Sequence, residues 1–400
     1  MSATTINSSL SSVKHPSPMN RGAIAISLIV SLGLTTYLSQ NFGWRQGALF
    51  VVGFGAGLIL YHAAFGFTSA WRNLVRTGIG AGLRAQLLML AITALVFLPL
   101  IADGQLFGMD IRGNIRPLGL SVAAGAFLFG VGMQLGGGCA SGTLFTVGGG
   151  NIRMIVTLIA FIVGSALGAF HLPAWQQAGG FSPVSLQLEF GTLGALTITF
   201  ALLAALWAGS VVVERRRNGN VSLFGKSASQ QNWLRGPWPL VTGALGLAAV
   251  NIATLVLAGR PWGVTSGFAL WGSKAAAALG VNVAAWPYWQ SEAAARTLES
   301  SVFRDITSVM DFGIILGALA AAGLAGRFSP TWRVPSRSLL AAIIGGLLLG
   351  YGARIAYGCN IGAFFSGVAS SSLHGWLWLV AAFAGSSVAV RMRPWFGMQN

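Results

Sequence analysis

Residues 130–145 read GVGMQLGGGCASGTLF, and residues 350–365 read GYGARIAYGCNIGAFF. The two stretches align at a constant offset of 220. Gly125, Gly130, Gly132, Gly138, Cys139, Gly142 and Phe145 fall on Gly345, Gly350, Gly352, Gly358, Cys359, Gly362 and Phe365. Cys139 and Cys359 are also the only 2 cysteines in the chain. A second echo lies upstream, FGFTSA at 65–70 against WGVTSG at 262–267, at an offset of 197. The second half therefore carries about 23 extra residues, which fit the polar segment around 286–307. One unit is written twice.

Composition says which medium the unit lives in. The 400 residues are 54% apolar and 8% charged, whereas about a quarter of a soluble domain is charged. Apolar runs recur at 22–39, 47–64, 85–101, 117–135, 153–170, 190–213, 238–257, 308–326, 338–357 and 373–390, each of the length a bilayer span needs. The expected fold is all-α: a polytopic membrane protein of about 10 transmembrane helices plus short membrane-embedded helices. The stretches 136–150 and 262–281 are apolar but glycine-broken, and suit short helices or re-entrant loops packed inside protein.

The formal charge of +16 is not a nucleic-acid signal, because Lys and Arg sit singly or in short clusters between the apolar runs. That is a topology pattern. The loop 171–189 has no Lys or Arg, while residues 214–235 have five. Placing the first outside and the second inside puts both termini in the cytoplasm. It also leaves sixteen basic residues inside, Lys14, Arg84 and Lys226 among them. Seven lie outside, including Arg112, Arg116 and Arg260, and Arg354 falls within a span. Tryptophans such as Trp44, Trp332 and Trp395 fall near the predicted helix ends, where interfacial aromatics belong. Five crossings separate the fourth span from the ninth, so the two cysteine elements enter from opposite faces. This predicts an inverted-topology repeat with a solute site near the midplane.

The expected organisation is a disordered Ser/Thr-rich tail (1–20), a first half with its leading helix (21–213), a cytoplasmic linker (214–236), a second half (237–393) and a short C-terminal tail (394–400). Lys14 and Arg21 precede the first apolar run as in a signal peptide, but no clear cleavage site follows. The run reads as a retained helix.

A lone buried cysteine usually acts as a small hydrophobe. Two in one repeated setting point further. Gly138, Gly142, Gly358 and Gly362 remove bulk beside each thiol and let a ligand approach the main chain. A helix restarting after each cysteine would turn free N–H groups toward an anion, and a thiol adds a soft donor and acceptor. The set suits a sulfur-bearing anion. Arg354 is a guanidinium inside a span, and its repeat partner is the neutral Gln134. It either attracts an anion or locks helices together, for example by pairing with Asp311. Thr68, Ser69, Thr265 and Ser266 supply hydroxyls to a polar path, or to helix carbonyls. His62 and His374 have no acidic or cysteine neighbours at ligand spacing and read as packing residues. GGGN at 148–151 has no Walker lysine-serine after it and is no nucleotide loop. Two cysteines build neither a disulfide framework nor a multi-cysteine metal site, and no cofactor is called for.

The Gly-Cys elements, FGFTSAWR (65–72), ARIAYGCNIGAFFSG (353–367) and SLHGW (372–376) together resemble the YeeE/YedE family of bacterial inner-membrane sulphur-transport proteins, over roughly residues 47–390. The resemblance implies a compact helical protein with an hourglass interior. Short central helices would meet at cysteines that contact thiosulfate as it moves inward, with Cys139 and Cys359 at those positions. The family pattern has a third cysteine just before the Phe/Leu-Thr-Ser/Gly element; Gly66 stands there. Another sulfur oxyanion or a selenium compound therefore stays open as substrate. By analogy a cytoplasmic sulfurtransferase is the partner, beside the bilayer and the small inorganic anion; nucleic acid is not one. Two other readings compete: a membrane thiol oxidoreductase working through a Cys139–Cys359 disulfide, against which stands the lack of a Cys-x-x-Cys pair, and a structural subunit of a larger complex.

Overall fold

The computed structural model describes residues 18–225, 232–328, 330 and 333–399. Most of the expected tail, with Lys14, and Lys226 and Trp332 lie outside the described residues. Ten helical segments are long and apolar enough to cross a membrane, one at each predicted span. The first half runs through α1 (Arg21–Phe42), α2 (Trp44–His62), α3 (Phe67–Thr77), α4 (Ala81–Asp103), α5 (Leu120–Gly136), α6 (Ala140–Gly148), α7 (Ile152–Gln177) and α8 (Leu186–Asn218). The second runs through α9 (Leu240–Ala258), α10 (Thr265–Ala278), α11 (Glu292–Glu299), α12 (Ile306–Leu324) and α13 (Ser336–Ile355). A wide π-helical segment, Asn360–Phe365, then leads into α14 (Ser366–Ala369) and α15 (Leu373–Met392).

Local chemistry sets the ends. Asn20, Asn151 and Asp305 accept the amides of Ala23, Met154 and Ser308 at 3.0, 3.2 and 2.8 Å, satisfying donors that a helix start leaves free. The expected short helices within 136–150 and 262–281 are α6 and α10. Two two-residue ladders complete the described fold: Gln105–Leu106 against Met109–Asp110, and Leu118–Gly119 against Gly180–Phe181, both antiparallel.

The Gly-x-Gly opening of each repeated stretch explains how the core closes. An added Cβ at Gly132 would meet Leu349 N at 2.6 Å and Gly345 O at 2.8 Å, and one at Gly352 would meet Phe129 N at 2.7 Å. These glycines seat α5 and α13 backbone to backbone, the close approach small residues allow in lipid. Gly125 lies against Gly352 and Ile355 while Gly136 lies against Gly345 and Leu349, so the two helices run antiparallel. Gly130 seats α5 on α15 at Ala382 and Ser386, and Gly350 seats α13 on α7 at Phe161 and Ser165. Each contact reappears when the halves are exchanged. The same exchange maps α2 on α12 to α9 on α4, and α10 on α7 to α3 on α15.

Arg84 and Glu214 do not behave as solvent-side charges. They form a buried ion pair at 2.5 Å, and Arg84 Nε also donates to Leu223 O at 2.9 Å. The pair ties α4 to α8 and to the chain leaving it, because α8 continues to Asn218.

Candidate functional site

Each cysteine stands at a helix start. Cys139 has extended backbone (φ −77°, ψ −170°) and its sulfur accepts the Gly142 amide at 3.4 Å. Ser141 Oγ lies 3.5 Å from the same sulfur. Cys359 repeats the backbone (φ −104°, ψ −167°), and the Gly362 amide faces its sulfur without reaching hydrogen-bond geometry. The wider π-helical turn accounts for that difference; such turns recur at functional sites. Glycine makes the reversal before each thiol: Gly137 has φ 94° and Gly358 φ 152°, conformations a side chain disfavours. Gly138 and Gly358 leave no space for a Cβ, which would press on Thr143 N and Ala363 N respectively. At Gly142 the space opens onto the Cys139 sulfur, and at Gly362 it is nearly empty.

Both thiols are free, buried and members of one apolar cluster, and the two sulfurs lie within electrostatic range of each other. A different cavity approaches each. One, of about 430 Å³, is lined by Arg112, Arg116, Arg260 and Arg354 and reaches Gly358, Gly362, Thr265 and Ser266. The other, of about 300 Å³, is lined by Phe65, Gly66, Ser69, Asn73 and Gln86 and reaches Leu240. Phe67, next to Gly66, belongs to the same apolar cluster as Cys139. Leu240 and Arg260 bracket α9, a helix about 28 Å long, so the cavities open at opposite ends of the molecule with the thiols between them.

The first cavity is strongly positive. No carboxylate lines it. Burial, with the neighbouring Arg354 guanidinium second, lowers the basicity of Arg116, as crowding of like charges does; Arg112 has Asp110 at 3.2 Å and Arg260 has Asp305 at 3.9 Å as counter-ions. Arg354 does not pair with Asp311, contrary to the pairing the sequence suggested. It donates to Tyr288 Oη at 2.8 Å and lies over that ring at 5.2 Å. Tyr288 belongs to the extra segment of the second half, which is anchored by Trp289 Nε1 on Ser273 Oγ at 3.0 Å. Asn114 Nδ2 donates to Gly362 O at 2.5 Å, holding the 112–116 loop against the Cys359 element.

The four hydroxyls split. Ser69 donates to Gly66 O at 3.1 Å and lines the second cavity; Thr68 is buried with its Oγ1 unpartnered among the described residues. Ser266 donates to Thr307 Oγ1 at 2.9 Å and lines the first cavity with Thr265. His62 packs against the Trp238 ring at 5.1 Å and His374 Nδ1 lies 2.7 Å from Ser372 Oγ. Arg112, Arg116, Arg260 and Tyr288 were not legible as site residues, since they come from three separate connections. Arg260, two residues ahead of the WGVTSG echo, was the available signal.

These features define a multi-pass helical membrane protein with two buried thiols in one apolar cluster. A family model described as "Sulphur transport" matches residues 62–388, and the chain belongs to that family. It is 30% identical over 339 residues to the thiosulfate transporter TsuA of Spirochaeta thermophila, covering 82% of this chain and 92% of that one. To TsuA of Escherichia coli it is 25% identical over 352 residues, 84% and 92% of the two chains. To the probable transporter YedE of Escherichia coli it is 32% identical over 165 residues, 41% of this chain. It spans only 38% of that YedE protein's length.

Proposed function

We propose that the protein carries thiosulfate, or a closely related sulfur oxyanion, inward across the bacterial cytoplasmic membrane by handing it from Cys359 to Cys139. The observation that carries this is the placement of the two thiols. They sit in one apolar cluster, with an arginine-lined cavity reaching the Cys359 element and a second cavity reaching Gly66 beside the Cys139 element. The arginines gather the anion on the side that the charge bias assigns to the outside, a focusing effect of like-charged clefts. Thiol and amide donors then replace hydration stepwise, and no single step holds the ion tightly. The antiparallel packing of α5 and α13 supports an inverted repeat with its halves meeting at the thiols. The TsuA relatives, named as thiosulfate transporters, favour that anion. A cytoplasmic sulfurtransferase at the Gly66 cavity is the partner this direction calls for.

The test is growth of a sulfur-uptake-deficient bacterial host carrying this protein on a panel of sulfur and selenium sources. Growth on thiosulfate as sole sulfur source is expected; growth on none of the panel rejects the reading, and growth only on a selenium compound reassigns the substrate.

Gly66 offers a second check. An added Cβ there would meet only the Ser69 hydroxyl, at 3.0 Å, and the backbone (φ −125°, ψ 127°) accepts any side chain. Gly66→Cys therefore places a third thiol at the inner cavity without strain. A rise of about two- to fivefold in uptake is expected, the gain one added weak hydrogen bond makes. Unchanged uptake would show that the third position is dispensable here.

A further inference from the structure

Of the chain's eight carboxylate residues, two are buried. Glu214 is paired with Arg84. Asp311 is not paired: it is fully buried on α12, and neither of its oxygens has a hydrogen-bond partner among the described residues. Its Oδ2 lies 3.0 Å from the place a Cβ would take on Gly267, inside the WGVTSG echo. It is within electrostatic range of Cys359.

Among the described residues, no cation of the elements around it pairs with Asp311. α1 carries Arg21 and Tyr37, α2 carries Arg45, Tyr61 and His62, α6 carries no ionisable side chain, and α10 carries Lys274. Lys274 is held by Leu298 O at 2.6 Å, and Arg45 by Met109 Sδ at 3.5 Å. Among the described residues the ionisable groups acting on Asp311 are Cys359 and Asp305, and Asp305 sits 3.9 Å from Arg260. The nearby hydroxyl is also spoken for, since Ser308 Oγ donates to Asp305 at 2.7 Å and accepts from Trp271 at 2.8 Å. A metal ion would need several oxygen ligands, and no group of three or more candidate ligands exists among the described residues. An ionised carboxylate without counter-ion or donor is heavily penalised in such surroundings; the neutral acid is not. The ion that fits this site is a proton.

A route reaches it. Ser266 lines the arginine cavity and donates to Thr307. Thr307 and Asp311 are four residues apart on α12, one above the other on the same helix face. At the offset of 220 Asp311 falls on the apolar Ala91 of α4. The unpartnered acid is thus specific to the half that faces the arginines.

We propose that Asp311 is a proton-carrying site that couples anion uptake to the proton gradient: its carboxylate takes a proton arriving by Ser266 and Thr307 and releases it to the opposite side as the anion moves between the thiols. No bond other than O–H is made or broken, and the protein is unchanged after one cycle. The inference rests on the transport reading above.

The experiment uses proteoliposomes and radiolabelled thiosulfate at clamped membrane voltage, with and without an inward proton gradient. The wild type is expected to take up thiosulfate at least about fivefold faster with the gradient, with acidification of the lumen. In Asp311→Asn the ratio falls to about one, and in Thr307→Val it shrinks. Infrared spectra of the purified protein should show a buried carboxylic-acid C=O band that Asp311→Asn removes, a readout needing no transport. Downhill uptake by the wild type that ignores the gradient overturns the coupling while leaving the transport reading intact. No thiosulfate movement at all rejects both. A gradient response retained by Asp311→Asn, or an absent acid band in the wild type, also overturns it.

Discussion

Cells carrying Cys139→Ala or Cys359→Ala take up thiosulfate at least about tenfold more slowly than the wild type, and the double variant takes up none. In the transport proposed above, each thiol would donate to an anion that has left water. A hydrogen bond to a charged group is worth about 1.5–3 kcal/mol, so losing one costs roughly ten- to a hundredfold in rate if the interaction is made at the barrier. The loss falls on transport rather than on folding. Alanine fills most of the space of a buried thiol; at Cys139 it also gives up the weak sulfur cap on the Gly142 amide, a small loss beside the effect on transport, and Cys359 makes no such cap. Initial rates of labelled thiosulfate uptake, normalised to membrane protein on immunoblots, are the measurement. A double variant that still grows at the wild-type rate on thiosulfate as sole sulfur source would remove the thiols from the mechanism.

The parts of this molecule that could be read ahead of the structure are those governed by one-dimensional rules. In lipid every backbone polar group must be satisfied within its own element, so a long apolar run has one outcome; each predicted span met a helix. Ends drifted where side chains and water compete. α7 runs to Gln177 rather than 170 because Pro173 sits inside the helix without ending it. The glycines beside each cysteine could be read as cleared space, whereas the helix start after each thiol was a condition that the structure supplied. What could not be read was assembled from distant connections. The arginine cavity gathers residues 112–116, 260 and 354, and nothing along the chain says that these meet. Arg354 finding Tyr288 instead of Asp311 depended on how the extra segment of the second half folds back. Asp311 then became conspicuous only because its expected partner lay elsewhere.

Gly350→Ala and Gly130→Ala each destabilise the fold, whereas Gly55→Ala does not. By helix propensity alone all three should stabilise, since alanine is favoured over glycine in a helix interior by about 1 kcal/mol. Packing reverses the sign at two of them. A Cβ at Gly350 would overlap Phe161 O and Ser165 N on α7, and one at Gly130 would overlap Ala382 O and press on Ser386 N on α15. Backbone atoms cannot rotate aside as a side chain would, so the helix pairs must separate. Overpacking of this kind costs about 1–3 kcal/mol. At Gly55 nothing lies within 4 Å of the added atom, and only the propensity gain remains. The two damaged contacts are on different helix pairs, but α5 and α13 themselves pack together beside them, at Gly132 on Leu349 and Gly352 on Phe129, so their costs are coupled in the double variant. Thermal unfolding of detergent-solubilised protein, followed by size exclusion, separates the outcomes: lowered midpoints for the two single variants and no loss for Gly55→Ala. A Gly350→Ala protein as stable as the wild type would mean that α13 does not rest on α7 through this glycine. The exchange of contacts between the halves would then lose one of its closest pairs.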